Sequence, residues 1–72
     1  MKPQIGKFYY INYKDKEQPK GSYTGIARCV AKYERNEKGE NLIRPMYEFE
    51  HPMDDKMVLS LFFEDEVITE AK

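Results

Sequence analysis

The clearest pattern in the chain is Met46-Tyr47-Glu48-Phe49-Glu50, where ring and carboxylate alternate. Successive side chains on a strand point to opposite faces, so this run predicts a half-buried strand with Tyr47 and Phe49 inward and Glu48 and Glu50 outward. Pro45 lacks the N–H that a central ladder needs, which places the strand's start after it. Ile5–Tyr13 predicts the first strand: six of its nine residues are aromatic or β-branched, a composition suited to a pleated surface. Both of its faces are apolar. Tyr9 and Ile11 are assigned inward, leaving Phe8 and Tyr10 on the other face beside Lys7. Tyr23–Tyr33 predicts the second strand. One of its faces is small (Gly25, Ala27, Cys29, Ala31), which calls for tight packing over it or a sharp coil of the strand. Met57–Phe63 and Val67–Thr69 predict the fourth and fifth strands.

Polar clusters punctuate these runs. Lys14–Ser22 reads as a basic, exposed, flexible loop with Pro19 and Gly21, Glu34–Asn41 as a turn around Gly39, and His51–Lys56 as a second turn. Alternation fails at Phe62-Phe63, as it does where a strand turns a corner. Glu64-Asp65-Glu66 then fits a single 3₁₀ turn that returns the chain to the sheet at Val67 and Ile68. No amphipathic helix of normal length is predicted. Five short strands in 72 residues predict an all-β fold, a small five-stranded barrel forming one domain over residues 1–72.

The order of these elements resembles that of SH3-like small barrels, including the tudor-like and ribosomal KOW-like ones. The resemblance rests on Gly6 with Tyr9 and Ile11, on Gly25-Ile26-Ala27 opening a long bent second strand, and on Phe63-Glu64-Asp65-Glu66-Val67-Ile68 as terminal 3₁₀ turn and last strand. It covers most of the chain. The chain departs from signalling SH3 domains in having no Trp, so their proline-peptide groove is not expected. Its short, Lys/Glu- and Tyr-rich character is similar to that of small phage and mobile-element proteins. That likeness implies an accessory or inhibitor protein acting on a host or defence factor.

Size narrows function further. A domain this short buries only about 60% of its unfolded surface, which leaves little material for a deep, water-excluded cleft and argues against most enzymes. Aromatics at 14% of the chain make a small core feasible, because each ring buries a large area. Cys29 is the single cysteine and His51 the single histidine, so neither a disulfide framework nor a four-ligand Cys/His zinc site is expected, and a reducing cytoplasm is the expected location. No apolar run approaches the ~18 residues of a membrane helix, and the N-terminus lacks an apolar signal core. Charge is split: residues 1–38 carry nine Lys/Arg against four Asp/Glu, and residues 39–72 carry three against nine. In a small β fold the two halves pair, so mutual neutralisation is the simpler expectation; a molecule with one basic and one acidic face is the other.

No catalytic constellation stands out. His51 with Asp54 and Asp55 has ligand-type atoms, but Asp is common in turns for its backbone bonds, and no metal or cofactor is expected. Cys29 with His51 lacks an oxyanion hole, and a mid-strand thiol among alanines reads as core. Ser22 and Ser60 have only His51 as an imidazole partner, without a surrounding signature. The expected function is therefore a non-catalytic protein-binding module, monomeric or weakly dimeric, with Phe8, Tyr10, Tyr23 and Tyr33 as interface rings and an unidentified protein as partner. The alternative is a nucleic-acid module whose Lys7, Lys14, Lys16, Lys20, Arg28 and Lys32 contact phosphates. Against that alternative stands a pI near 5.8, where dedicated binders exceed about 9. A third feature is the acidic set Glu48, Glu50, Glu64, Asp65 and Glu66, which would imitate phosphates if it lay on one face.

Overall fold

The computed structural model describes residues 2–14, 22–53 and 55–71. It is all-β, as the periodicity predicts. The strands are β1 (Phe8–Tyr13), β2 (Tyr23–Arg35), β3 (Asn41–Met53), β4 (Lys56–Phe62) and β5 (Val67–Glu70), with a 3₁₀ turn at Glu64–Glu66 before β5. They form one antiparallel sheet in the order β4-β3-β2-β1-β5. The sheet curls so that one side of all five strands meets in a single core, and β4 and β5 are its edges.

The register explains the core. Tyr9 lies opposite Ala27 and Phe49 opposite Cys29. The small side chains of β2 leave room above the strand, and the rings from β1 and β3 meet there edge to face, centroids 5.8 Å apart. Phe49 makes a second edge contact, 5.6 Å, with Phe62 of β4. Ile11 and Val67 close the β1–β5 side of the same cluster. The expected inward set of Tyr9, Ile11, Tyr47 and Phe49 is buried.

Strand bounds differ from the sequence reading in instructive ways. β1 starts at Phe8 rather than Ile5 because Gly6 takes φ 92°, a conformation that favours glycine. The turn stays attached to β2 through Gly6 N–H to the Cys29 carbonyl (2.7 Å) and Cys29 N–H to the Lys7 carbonyl (3.0 Å). β2 runs to Arg35, and the turn shrinks to residues 36–40, where the Asn36 side-chain oxygen accepts from the N–H groups of Lys38 and Glu40. β3 is much longer than Met46–Glu50 and passes through both prolines. Pro45 is tolerated because the β2–β3 register shifts between Tyr33 and Arg35, with β3 bulging over residues 42–45. Pro52 is tolerated because the β2 ladder has ended at Glu50, so only β4 pairs there. The predicted turn at His51–Lys56 contracts, since the β3–β4 ladder runs on to the Met53–Lys56 pair, and Asp55 takes φ 64°, which Asp tolerates better than most residues. The loop call at Lys14–Ser22 falls mostly outside the described residues, including Lys16, Pro19, Lys20 and Gly21.

Candidate interaction surface

The residues that alternate with the core form the outer side of the sheet, and the cross-strand pairs identify neighbours there. On β1 and β2, Tyr10 lies opposite Ile26 and Phe8 opposite Arg28. Phe8, Tyr10 and Ile26 remain 50%, 42% and 45% exposed. Arg28 pairs with Glu50 of β3 (3.3 Å), and Glu50 lies opposite Leu59 of β4. The outer side thus carries an aromatic–aliphatic patch on β1–β2, a charged ridge on β2–β3, and an aliphatic row on β4. Scattered exposed apolar residues are ordinary; adjacent ones that belong to neighbouring strands form a surface a partner can cover.

The predicted interface rings separate into three environments. Phe8 and Tyr10 belong to the β1–β2 patch. Tyr33 lies further along β2, where its hydroxyl donates to Glu48 Oε1 (3.2 Å); that bond to a carboxylate raises the phenol's pKa. It borders a groove of about 420 Å³ with Leu42, Met46, Glu48 and Leu61. Tyr23 is turned inward instead. Its ring stacks on His51 (5.0 Å, 21°) and its hydroxyl donates to the Ile26 carbonyl (2.7 Å). Gly25 makes this position available, because a Cβ there would fall 2.6 Å from the Tyr23 hydroxyl.

The basic residues are largely neutralised where they stand. Lys7 pairs with Glu70 (3.9 Å), Arg28 with Glu50, and Lys32 with Glu34 (3.2 Å); the Glu34 bond pushes the Lys32 pKa up. Lys14 is exposed, while Lys16 and Lys20 lie outside the described residues. The acids are engaged in the same way, in two places. Glu48 and Glu50, outward on β3, take Tyr33 and Arg28. In the 3₁₀ turn Asp65 takes Arg44 (3.1 Å), Glu66 accepts from the Phe63 N–H (2.9 Å), and Glu64 acts electrostatically on Lys32. Arg44 also stacks on Phe63, 3.9 Å from the ring centroid, tying the β3 bulge to the turn. Two of the four ion pairs among the described residues, Lys7–Glu70 and Arg28–Glu50, join the basic first half of the chain to the acidic second half.

One polar pair that the sequence offers without a surrounding signature is brought together in the core. His51 is fully buried in β3 and its Nε2 lies 2.8 Å from Ser60 Oγ of β4. Tyr13 and Tyr23, opposite each other on β1 and β2, cover the imidazole. Burial lowers the His51 pKa, offset in part by the Pro52 backbone, and Nδ1 has no hydrogen-bond partner among the described residues. The signal was present: His51 continues the alternation Tyr47, Phe49, and Ser60 shares its phase with Phe62. Both groups of the pair are buried, with the Tyr13 and Tyr23 rings packed against the imidazole. Cys29 is buried elsewhere in the core with its pKa raised by burial, and a protonated, enclosed thiol is a poor nucleophile.

Fold and surface together define a class: a small all-β domain, one curled antiparallel sheet with a terminal 3₁₀ turn and a partly apolar outer side. No protein-family model, no curated protein and no solved structure matches the chain.

Proposed function

We propose that this protein is a non-catalytic protein-binding module on an SH3-like barrel, of the phage-type accessory kind, and that it engages its partner through Phe8, Tyr10 and Ile26. The observation that carries the reading is the exposed apolar patch these residues form across β1 and β2. Aromatic side chains in such a patch supply contact area at little entropic cost and dominate binding energy when a partner covers them. The local ion pairing of Lys7, Arg28 and Lys32 favours a protein over a nucleic acid, because a phosphate would have to displace an existing carboxylate from each. The buried positions of His51, Ser60 and Cys29 support a binding role rather than a catalytic one.

The test is quantitative affinity capture from host lysate with the wild-type chain and the Phe8→Ala/Tyr10→Ala variant. Both side chains point away from the core, so the variant folds. Loss of two central rings lowers recovery of a specific partner by at least about 30-fold, taking roughly 1 kcal/mol or more per ring. Equal recovery by both chains places the interface elsewhere and contradicts the proposal.

A further inference from the structure

We infer that β4 is the contact of a two-fold homodimer, in which the strand adds antiparallel to β4 of a second copy with Leu59 on the axis. This contact is independent of the Phe8–Tyr10 patch, which belongs to the other end of the sheet order.

The two edges of the sheet differ. β5 is four residues long and ends in Glu70, and its pairing with β1 is broken by a register shift. Short, irregular, charged edges resist strand addition. β4 is longer and regular, and its one charge, Lys56, is its first residue. It pairs with β3 in unbroken register over seven residues and has no strand on its other side among the described residues. It contains no proline, and no charge interrupts Met57 to Phe63. Its outward side chains, Met57, Leu59 and Leu61, are 60%, 59% and 49% exposed. A strand with an open ladder and an apolar outward row is a template for another strand of the same character.

Charge selects a second copy and its direction. Lys56 precedes the neutral run and Glu64 follows it. Antiparallel pairing about Leu59 sets Met57 against Leu61 and Lys56 against Phe62 of the other copy, toward the 3₁₀ turn where Glu64 follows β4. That gives one attraction at each end. A parallel arrangement would set lysine beside lysine and glutamate beside glutamate, and like charges across a ladder are destabilising. The apolar row then runs without a break from one copy to the other, as an isologous contact requires.

Sedimentation equilibrium and disulfide trapping test the contact. The wild-type chain shows a concentration-dependent monomer–dimer equilibrium. Leu59→Lys, which opposes two ammonium groups on the axis, stays monomeric at every concentration, while Tyr10→Lys associates like the wild type. Trapping reads the register, and it carries the test if Leu59→Lys fails to fold. Under copper–phenanthroline oxidation Leu59→Cys cross-links to itself. Met57→Cys alone does not, because its two copies lie four residues apart along the pair, about 13 Å, beyond the roughly 7 Å a disulfide spans. A mixture of Met57→Cys and Leu61→Cys does cross-link. A wild-type chain monomeric up to about 1 mM, a dimer that survives Leu59→Lys, or self-linking by Met57→Cys in place of Leu59→Cys overturns the assignment.

Discussion

Phe49→Ala takes away a large part of the stability of this domain. Phe49 is fully buried at the centre of the core, in edge contact with Tyr9 on one side and Phe62 on the other. Truncating a buried Phe to Ala costs about 3–5 kcal/mol, from lost transfer energy and the cavity left behind. Ala27 and Cys29 beneath the rings are too small to fill that cavity. A chain of this length has roughly 4–11 kcal/mol of total stability, so the loss is a large fraction of it. Thermal unfolding followed by circular dichroism gives a midpoint at least about 12 °C below wild type, or no cooperative transition. A shift under about 5 °C would mean that Tyr9, Phe49 and Phe62 do not form one interlocked cluster.

Acidification weakens the fold through His51. The folded state holds this imidazole neutral, buried against Ser60 and beneath Tyr13 and Tyr23, with its pKa lowered by burial. Unfolding frees it to bind a proton with the ordinary value near 6.5. The unfolded state therefore binds more protons below that pH. The neutral-His contribution is fully present above about pH 6.5, and it is lost progressively as pH falls toward the lower folded value. The slope is at most about 1.4 kcal/mol per pH unit for one proton. Among the described residues, the polar side-chain groups in contact with the ring are the Ser60 hydroxyl and the two phenols, none of them a carboxylate. Urea midpoints measured from pH 8 to pH 5 fall for the wild type and stay nearly level for His51→Phe/Ser60→Ala, which removes both polar partners together. Equal slopes in the two proteins would assign the effect to other groups.

The core was legible because alternation reports it directly: Tyr47 and Phe49 against Glu48 and Glu50, and the small face of β2 that admits the rings of Tyr9 and Phe49. The 3₁₀ turn was legible for a related reason, since Phe62-Phe63 breaks the period just before three acids. What escaped was the reach of β3. Pro45, His51 and Pro52 each read locally as a boundary, and only the pairing shows that Pro45 sits in a bulge and Pro52 beyond the β2 ladder. That misreading hid the burial of the His51–Ser60 pair, since a histidine assigned to a turn is expected at the surface. The candidate surface was partly legible. Phe8 and Tyr10 follow from the phase of β1, but Tyr23 is drawn inward by a stack on His51 and a close approach to Gly25, both set by tertiary structure.

The sheet buries one side in a single core and leaves apolar residues exposed on the other, the surface we propose for a protein partner. Titration of the chain with fluorescent single- and double-stranded oligonucleotides at 50 mM salt, repeated at 200 mM, tests that account most directly. Ion pairing at Lys7, Arg28 and Lys32, with the acids of β3 beside them, predicts a flat titration at both salts. Saturable binding at 50 mM that weakens steeply at 200 mM would contradict it and assign the molecule to nucleic acid.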